Sequence, residues 1–136
     1  MNSLCKQEWK FSCLKCRHAR NFREPDSHLT GGARGIGRAI SQLLASSGAD
    51  VWIWDVDPIE LPGTRSIAFD VTKREEITTA LGLMRGELID ILVNDAGYLG
   101  PYRAFEEFDP AEWQRIVQAN LIGMMEVTHQ VLPLMR

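Results

Sequence analysis

No apolar run in this 136-residue chain approaches the roughly 20 residues that a membrane-spanning helix requires. The N-terminus also lacks an apolar block of the signal-peptide kind, so the chain reads as cytoplasmic, with no membrane partner. Excess positive charge is missing too: the net charge is −3 and the pI about 5.6, which argues against nucleic acid as a partner. Cysteine is scarce and odd in number, with Cys5, Cys13 and Cys16 all near the start, and this speaks against a disulfide framework. What remains is the profile of one ordinary globular domain, 45% hydrophobic and 24% charged.

Residues 1–28 form an unassigned segment, expected to be poorly ordered. They hold all three cysteines and the basic residues Lys6, Lys10, Lys15, Arg17, Arg20 and Arg23, with no sustained hydrophobic period. Cys13, Cys16 and His18, with Cys5 upstream, invite a zinc reading. A single residue between Cys16 and His18 is too short for a usual ligand pair and no second paired knuckle follows, so no metal is expected. The acidic residues Glu8, Glu24 and Asp26 dilute the arginine pattern of a transit peptide.

The informative stretch is Thr30-Gly31-Gly32-Ala33-Arg34-Gly35-Ile36-Gly37, a glycine turn running into a segment whose Ile36, Ile40, Leu43 and Leu44 recur at helical spacing. Such a turn lets backbone approach a bound group closely. The helix start beyond it offers unpaired N–H groups and a positive dipole end, suited to a pyrophosphate. Arg34 lies inside the turn, where it can contact a phosphate.

A strand should precede this turn, and as a central parallel strand it should be a continuous apolar run. Instead Phe22-Arg23-Glu24-Pro25-Asp26-Ser27-His28-Leu29 stands there. Proline cannot donate to a ladder and the charges would be buried. The first strand is therefore expected to be degraded, with Leu29 its remnant.

Val51-Trp52-Ile53-Trp54 reads as a buried second strand ending in Asp55. An acid at that distance from the glycines suits a ribose and repels a 2′-phosphate, favouring NAD over NADP; the same residue could instead open the turn toward Pro58. A third strand, Ser66 to Phe69, follows through a connection too short for a crossover helix, and ends in Asp70-Val71. A helix is expected over 75–88 with Ile77, Leu81, Met84 and Leu88 on one face. The fourth strand, Ile89 to Val93, terminates in Asn94-Asp95-Ala96-Gly97, small and polar residues where a cofactor would pass. The last helix opens at Asp109-Pro110 with Glu112 placed for a capping box. Its apolar face carries Trp113, Ile116, Val117, Met124, Val127 and Val131, and Asn120 falls on the same stripe. By periodicity alone Asn120 is a satisfied structural amide.

Together these motifs resemble the short-chain dehydrogenase/reductase family from about Leu29 to Arg136. The family's T-G-x-x-x-G-x-G is matched by Thr30, Gly31, Gly35 and Gly37, and its N-N-A-G by Asn94, Ala96 and Gly97, with Asp95 in place of the second asparagine. Asp70-Val71 matches the D-V that lies near the adenine, and Asn120 the helix asparagine. The resemblance implies an incomplete doubly wound α/β domain over residues 29–136, Rossmann-like, with strand order 3-2-1-4. It implies cofactor-binding roles for Thr30, Gly31, Arg34, Gly35, Ile36, Gly37, Asp55, Asp70, Val71, Asn94, Ala96 and Gly97, and a catalytic role for Asn120, which holds the active-site lysine through water.

The implied reaction is hydride transfer between NAD and a small alcohol or carbonyl substrate. The serine and Tyr-x-x-x-Lys that the family uses fall beyond Arg136, and neither Tyr98 nor Tyr102 has a lysine four residues on. The chain is thus expected to be the cofactor-binding half and inactive as given. A catalytically silent nucleotide-binding protein, or a partner in a homo-oligomer through the last helix, is the alternative. An uncovered face of several hundred Å² forfeits several kcal/mol at roughly 25 cal/mol per Å², so a marginal or aggregation-prone product is expected.

Overall fold

A computed structural model describes residues 24–57, 59–84 and 88–135. Cys5, Cys13, Cys16 and His18 lie outside the described residues. Four strands form one parallel sheet: β1 (Asp26–Thr30), β2 (Asp50–Asp55), β3 (Thr64–Ala68) and β4 (Ile91–Asn94), in the order β3-β2-β1-β4. Helix α1 (Gly35–Ser46) links β1 to β2, and α2 (Arg74–Leu83) links β3 to β4. After β4 come a 3-10 turn (Phe105–Glu107), α3 (Pro110–Val117), a π-turn (Gln118–Gly123), α4 (Met124–Val131) and a last 3-10 turn (Leu132–Leu134).

Strand alternation sorts the core into two halves. Val51 and Ile53 pack with Ala49 and Leu61 beneath Leu44 and Ala45 of α1. Trp54 faces the other way, into a larger cluster with Phe69, Ile77, Met84, Ile89, Val127 and Val131 supplied from α2, α4 and the connecting segments. The result is a three-layer α/β arrangement, Rossmann-like, whose strand ends at Thr30, Asp55 and Asn94 all open toward one side.

The first strand is present and central, which corrects the expectation that it is missing or damaged. Its composition is degraded; its pairing is not. Residues 26–30 are matched along β2 from Asp26↔Asp50 to Thr30↔Trp54, and Ser27 to Thr30 along β4. The ladder reads backbone, not side chains. Pro25 falls just before the strand, where its missing N–H costs nothing and its carbonyl accepts from the Asp50 N–H at 3.1 Å. The Asp26 N–H donates to the Asp90 carboxylate at 3.0 Å and its carbonyl accepts from the Asp90 N–H at 3.0 Å. Residues 26–28, left with the N-terminal segment by the sequence, thus belong to the sheet.

Three further expectations shift. Helix α1 buries Gly37 and Ser41 against the sheet while Ile36 and Leu43 stay exposed. The close approach selects small residues, and the Ser41 hydroxyl donates back to the Gly37 carbonyl at 2.9 Å. Helix α2 ends at Leu83, so Leu88 is not on its face and is exposed. The last helix is not continuous, because the π-turn divides it at the segment containing Asn120. As expected, no helix forms between β2 and β3 among the described residues. Ile89 precedes β4 and instead bridges Met135.

Candidate functional site

The cleft begins where β1 ends. Gly31 turns with φ 73°, left-handed backbone that favours glycine. A side chain there would also strike the β4 loop, since a Cβ on Gly31 would lie 2.7 Å from the Ala96 nitrogen. Gly37 is equally constrained by space, for its Cβ would meet a carboxylate oxygen of Asp95 at 2.7 Å. The loops that follow the neighbouring strands β1 and β4 are therefore pressed together. The Thr30 hydroxyl oxygen fixes the seam by accepting from the N–H groups of both Asp95 and Ala96 at 3.1 Å.

Asp55 at the end of β2 holds the glycine turn from the other flank. One carboxylate oxygen accepts from the Ala33 N–H at 3.0 Å and the other from the Asp57 N–H at 3.1 Å. The turn-opening role of this acid is present, and the same carboxylate stands beside the glycines. Asp70 is tied similarly: its carboxylate accepts from the Thr72 N–H at 2.9 Å, and its N–H donates to Glu76 at 2.9 Å. Lys73 donates to the other Glu76 oxygen at 2.8 Å, which holds the Glu76 carboxyl below its usual range and the Lys73 amine above its own.

The cleft between these loops measures about 1220 Å³. Gly31, Arg34, Gly35, Ile36, Asp55, Asp70, Val71, Ala96, Gly97 and Asn120 line it. Thr30 and Gly37 lie beneath it as supports. Asn94 is elsewhere: its amide donates to the Thr128 hydroxyl of α4 at 3.1 Å, bracing the strand end against the helix. Helix α1 begins after its N-cap residue Arg34 with no side-chain cap and no acidic residue of its own in the first turn, and the Asp95 carboxylate lies beside Gly37 there.

Asn120 has both ends of its amide engaged. Its oxygen accepts from the Tyr98 N–H at 2.7 Å and its nitrogen donates to the Tyr98 carbonyl at 3.0 Å. It clamps the loop that follows Gly97. The Tyr98 hydroxyl donates to Glu112 at 3.1 Å, and this bond raises the phenol above its ordinary pKa, with burial and the carboxylate's charge adding to it. Glu112 is thereby diverted from the capping box; Asp109 alone caps α3, accepting from the Ala111 N–H at 2.8 Å. No local pattern marks the Tyr98 clamp, since its partner is 22 residues away. Trp54, Phe69, Asp95, Gln114 and Gln118 also line the cleft unannounced.

Among the described residues no group of three His, Cys, Asp or Glu side chains is placed to hold a metal ion. No described helix is long and apolar enough to cross a membrane.

A family model described as short chain dehydrogenase matches residues 28–136. L-fucose dehydrogenase from Bos taurus is 36% identical over 117 residues, an alignment covering 79% of this chain and 43% of that protein. Among solved structures, a short chain dehydrogenase from Leptospira borgpetersenii with bound NAD+ gives a TM-score of 0.75 at 27% identity, covering 83% of this chain and 46% of that one. The 3-ketoacyl-(acyl-carrier-protein) reductase from Brucella melitensis complexed with NADH gives 0.74 at 28% identity, covering 81% and 50%. The chain spans about half the length of the proteins it matches.

Proposed function

This chain belongs to the short-chain dehydrogenase family, and from that premise we propose that it is the cofactor-binding half of an NAD-dependent oxidoreductase acting on a small alcohol or carbonyl compound. The observation that carries the reading is the cleft at the glycine turn, lined by Gly31, Gly35 and Ile36 on one side and Ala96 and Gly97 on the other, where a Cβ on Gly35 would meet nothing within 4 Å. The uncapped start of α1 opens beside it. These N–H groups hold the pyrophosphate, with Gly35 and Ile36 at the helix start. Each Asp55 oxygen has accepted one backbone N–H and keeps a lone pair for a ribose hydroxyl. Its charge disfavours a 2′-phosphate. Asp70 and Val71 border the adenine end, and Ala96 and Gly97 the ribose and pyrophosphate path.

Bound NAD supplies a hydride acceptor, and the protein's task is to place it. Thr30 keeps the two loops in register, and Asn120 keeps the segment after Gly97 in place by clamping Tyr98. By clamping Tyr98 with one amide N–H and its carbonyl oxygen, Asn120 serves catalysis as a positioning residue. The alternative, a nucleotide-binding partner without turnover, draws on the exposed Val117, Leu121 and Met125 of the last helical segment.

Titrating the purified chain with NADH tests the site. Trp54 lines the cleft, so saturable energy transfer from tryptophan to the reduced nicotinamide is expected, reversed by excess NAD. Absence of transfer at saturating NADH would sink the reading. Reading the coding sequence beyond Arg136 for an in-frame serine and Tyr-x-x-x-Lys separates the enzyme from the silent partner.

A further inference from the structure

Arg34 poses a conflict inside the cleft. A guanidinium in a glycine turn is suited to a 2′-phosphate, whereas Asp55 is suited to a free ribose. The structure shows where the guanidinium goes. Arg34 Nη1 lies 3.4 Å from an Asp57 carboxylate oxygen, on the rim of the cleft. Asp57 is held there by its own backbone, because its N–H donates to Asp55, the residue that also accepts from Ala33 in the glycine turn. A single turn thus presents two carboxylates: Asp55 inside the cleft and Asp57 outside it, turned on the arginine. The other arginine that lines the cleft, Arg115, is paired in the same manner with Glu112 at 2.8 Å.

We propose that Asp57 is a specificity-determining residue that ties Arg34 back and so keeps a 2′-phosphorylated dinucleotide from gaining a cationic partner. This inference rests on the reading of the cleft as a dinucleotide site. Asp57 does not itself line the cleft but contacts Arg34, which does, so it acts through Arg34 as a positioning residue. Both side chains are largely exposed, at 76% and 67%. Water screens the pair, which sets the expected effect at a few-fold rather than orders of magnitude.

The test is a binding comparison of NADH and NADPH on the purified chain and its variants, read by reduced-nicotinamide fluorescence. Asp57→Asn removes the charge while keeping the backbone N–H that Asp55 accepts. It should tighten NADPH by about three- to fivefold, leave NADH within about twofold, and lose the gain at high salt. In an Arg34→Met background, the same substitution should give no gain. Unchanged NADPH affinity alongside intact NADH binding overturns the proposal, as does a gain that survives Arg34→Met. Failure of the wild-type chain to bind either dinucleotide overturns the underlying reading of the cleft, and this proposal with it. A thermal transition matching wild type confirms that Asp57→Asn is folded.

Discussion

His28 is fully buried in the middle of the sheet, and neither ring nitrogen has a hydrogen-bond partner. It packs on Trp54 at 4.9 Å and lies parallel to Trp52 at 6.2 Å between ring centroids. Burial lowers its pKa from 6.5 to about 4, with Asp26 opposing and Arg65 assisting. The folded protein therefore holds this ring neutral, while the unfolded chain takes up a proton below pH 6.5. Stability is at its full value above that pH, falls as the pH drops toward 4, and levels off below it, by at most about 3 kcal/mol. His28→Val should flatten this slope and raise stability near neutrality by about 1 kcal/mol, since two unpartnered nitrogens leave the core. Denaturant midpoints at pH 7 and pH 5 check both statements, and an unchanged pH slope in the variant would refute the assignment to His28. At this scale the sequence is legible where chemistry leaves a local pattern. Gly31, Gly37 and Asp55 announce themselves by spacing, whereas the Tyr98 that engages Asn120 is marked by nothing nearby.

Among the elements, β1 was the least legible. Asp26, Ser27 and His28 are poor material for a central strand, yet β2 and β4 each present a ladder with one place between them, and long-range pairing overrides local preference. Helix α1 was legible as a helix but not in its buried face, because close packing at Gly37 and Ser41 decided the contact rather than apolar spacing. The start of α3 was legible in Asp109-Pro110, and only the partner of Glu112 was not. That division can be measured. Asp109→Ala should cost about 1 kcal/mol by removing the acceptor for the Ala111 N–H. Glu112→Ala should leave the cap intact and bring the Tyr98 phenol back down toward its ordinary pKa, because the carboxylate that accepts its hydrogen bond is gone. Chemical denaturation reads the first and ultraviolet titration of tyrosine the second. A cap loss of equal size in both variants would show that the capping box forms after all.

For the whole molecule, the decisive feature is coverage. The sheet is layered on both faces, by α1 on one side and by α2 and α4 on the other, so the apolar residues that meet there are paired. Along the last helical segment they are not: Trp113, Val117, Leu121, Ile122, Met124, Met125 and Leu132 are each more than a third exposed. Scattered apolar side chains on a surface are ordinary, but a succession along one element is the pattern of a surface that associates. Strand β4 adds an edge that, away from β1, has no paired strand among the described residues; the bridge from Ile89 to Met135 lies before its start. Helix periodicity picks out Trp113, Val117 and Met124 among them but not Leu121, Ile122, Met125 or Leu132, and which residues lose their cover depends on neighbours that no local pattern encodes. The purified chain should therefore self-associate with rising concentration. Leu121→Glu combined with Met125→Glu, both on exposed positions, should shift it to monomer without disturbing the Val127 and Val131 packing that holds α4 to the core. Sedimentation across a concentration series gives the masses, and a wild-type chain that stays monomeric with a cooperative thermal transition would overturn the expectation. NADH binding retained by the monomeric double variant would further separate the association surface from the cleft, since neither Leu121 nor Met125 lines it.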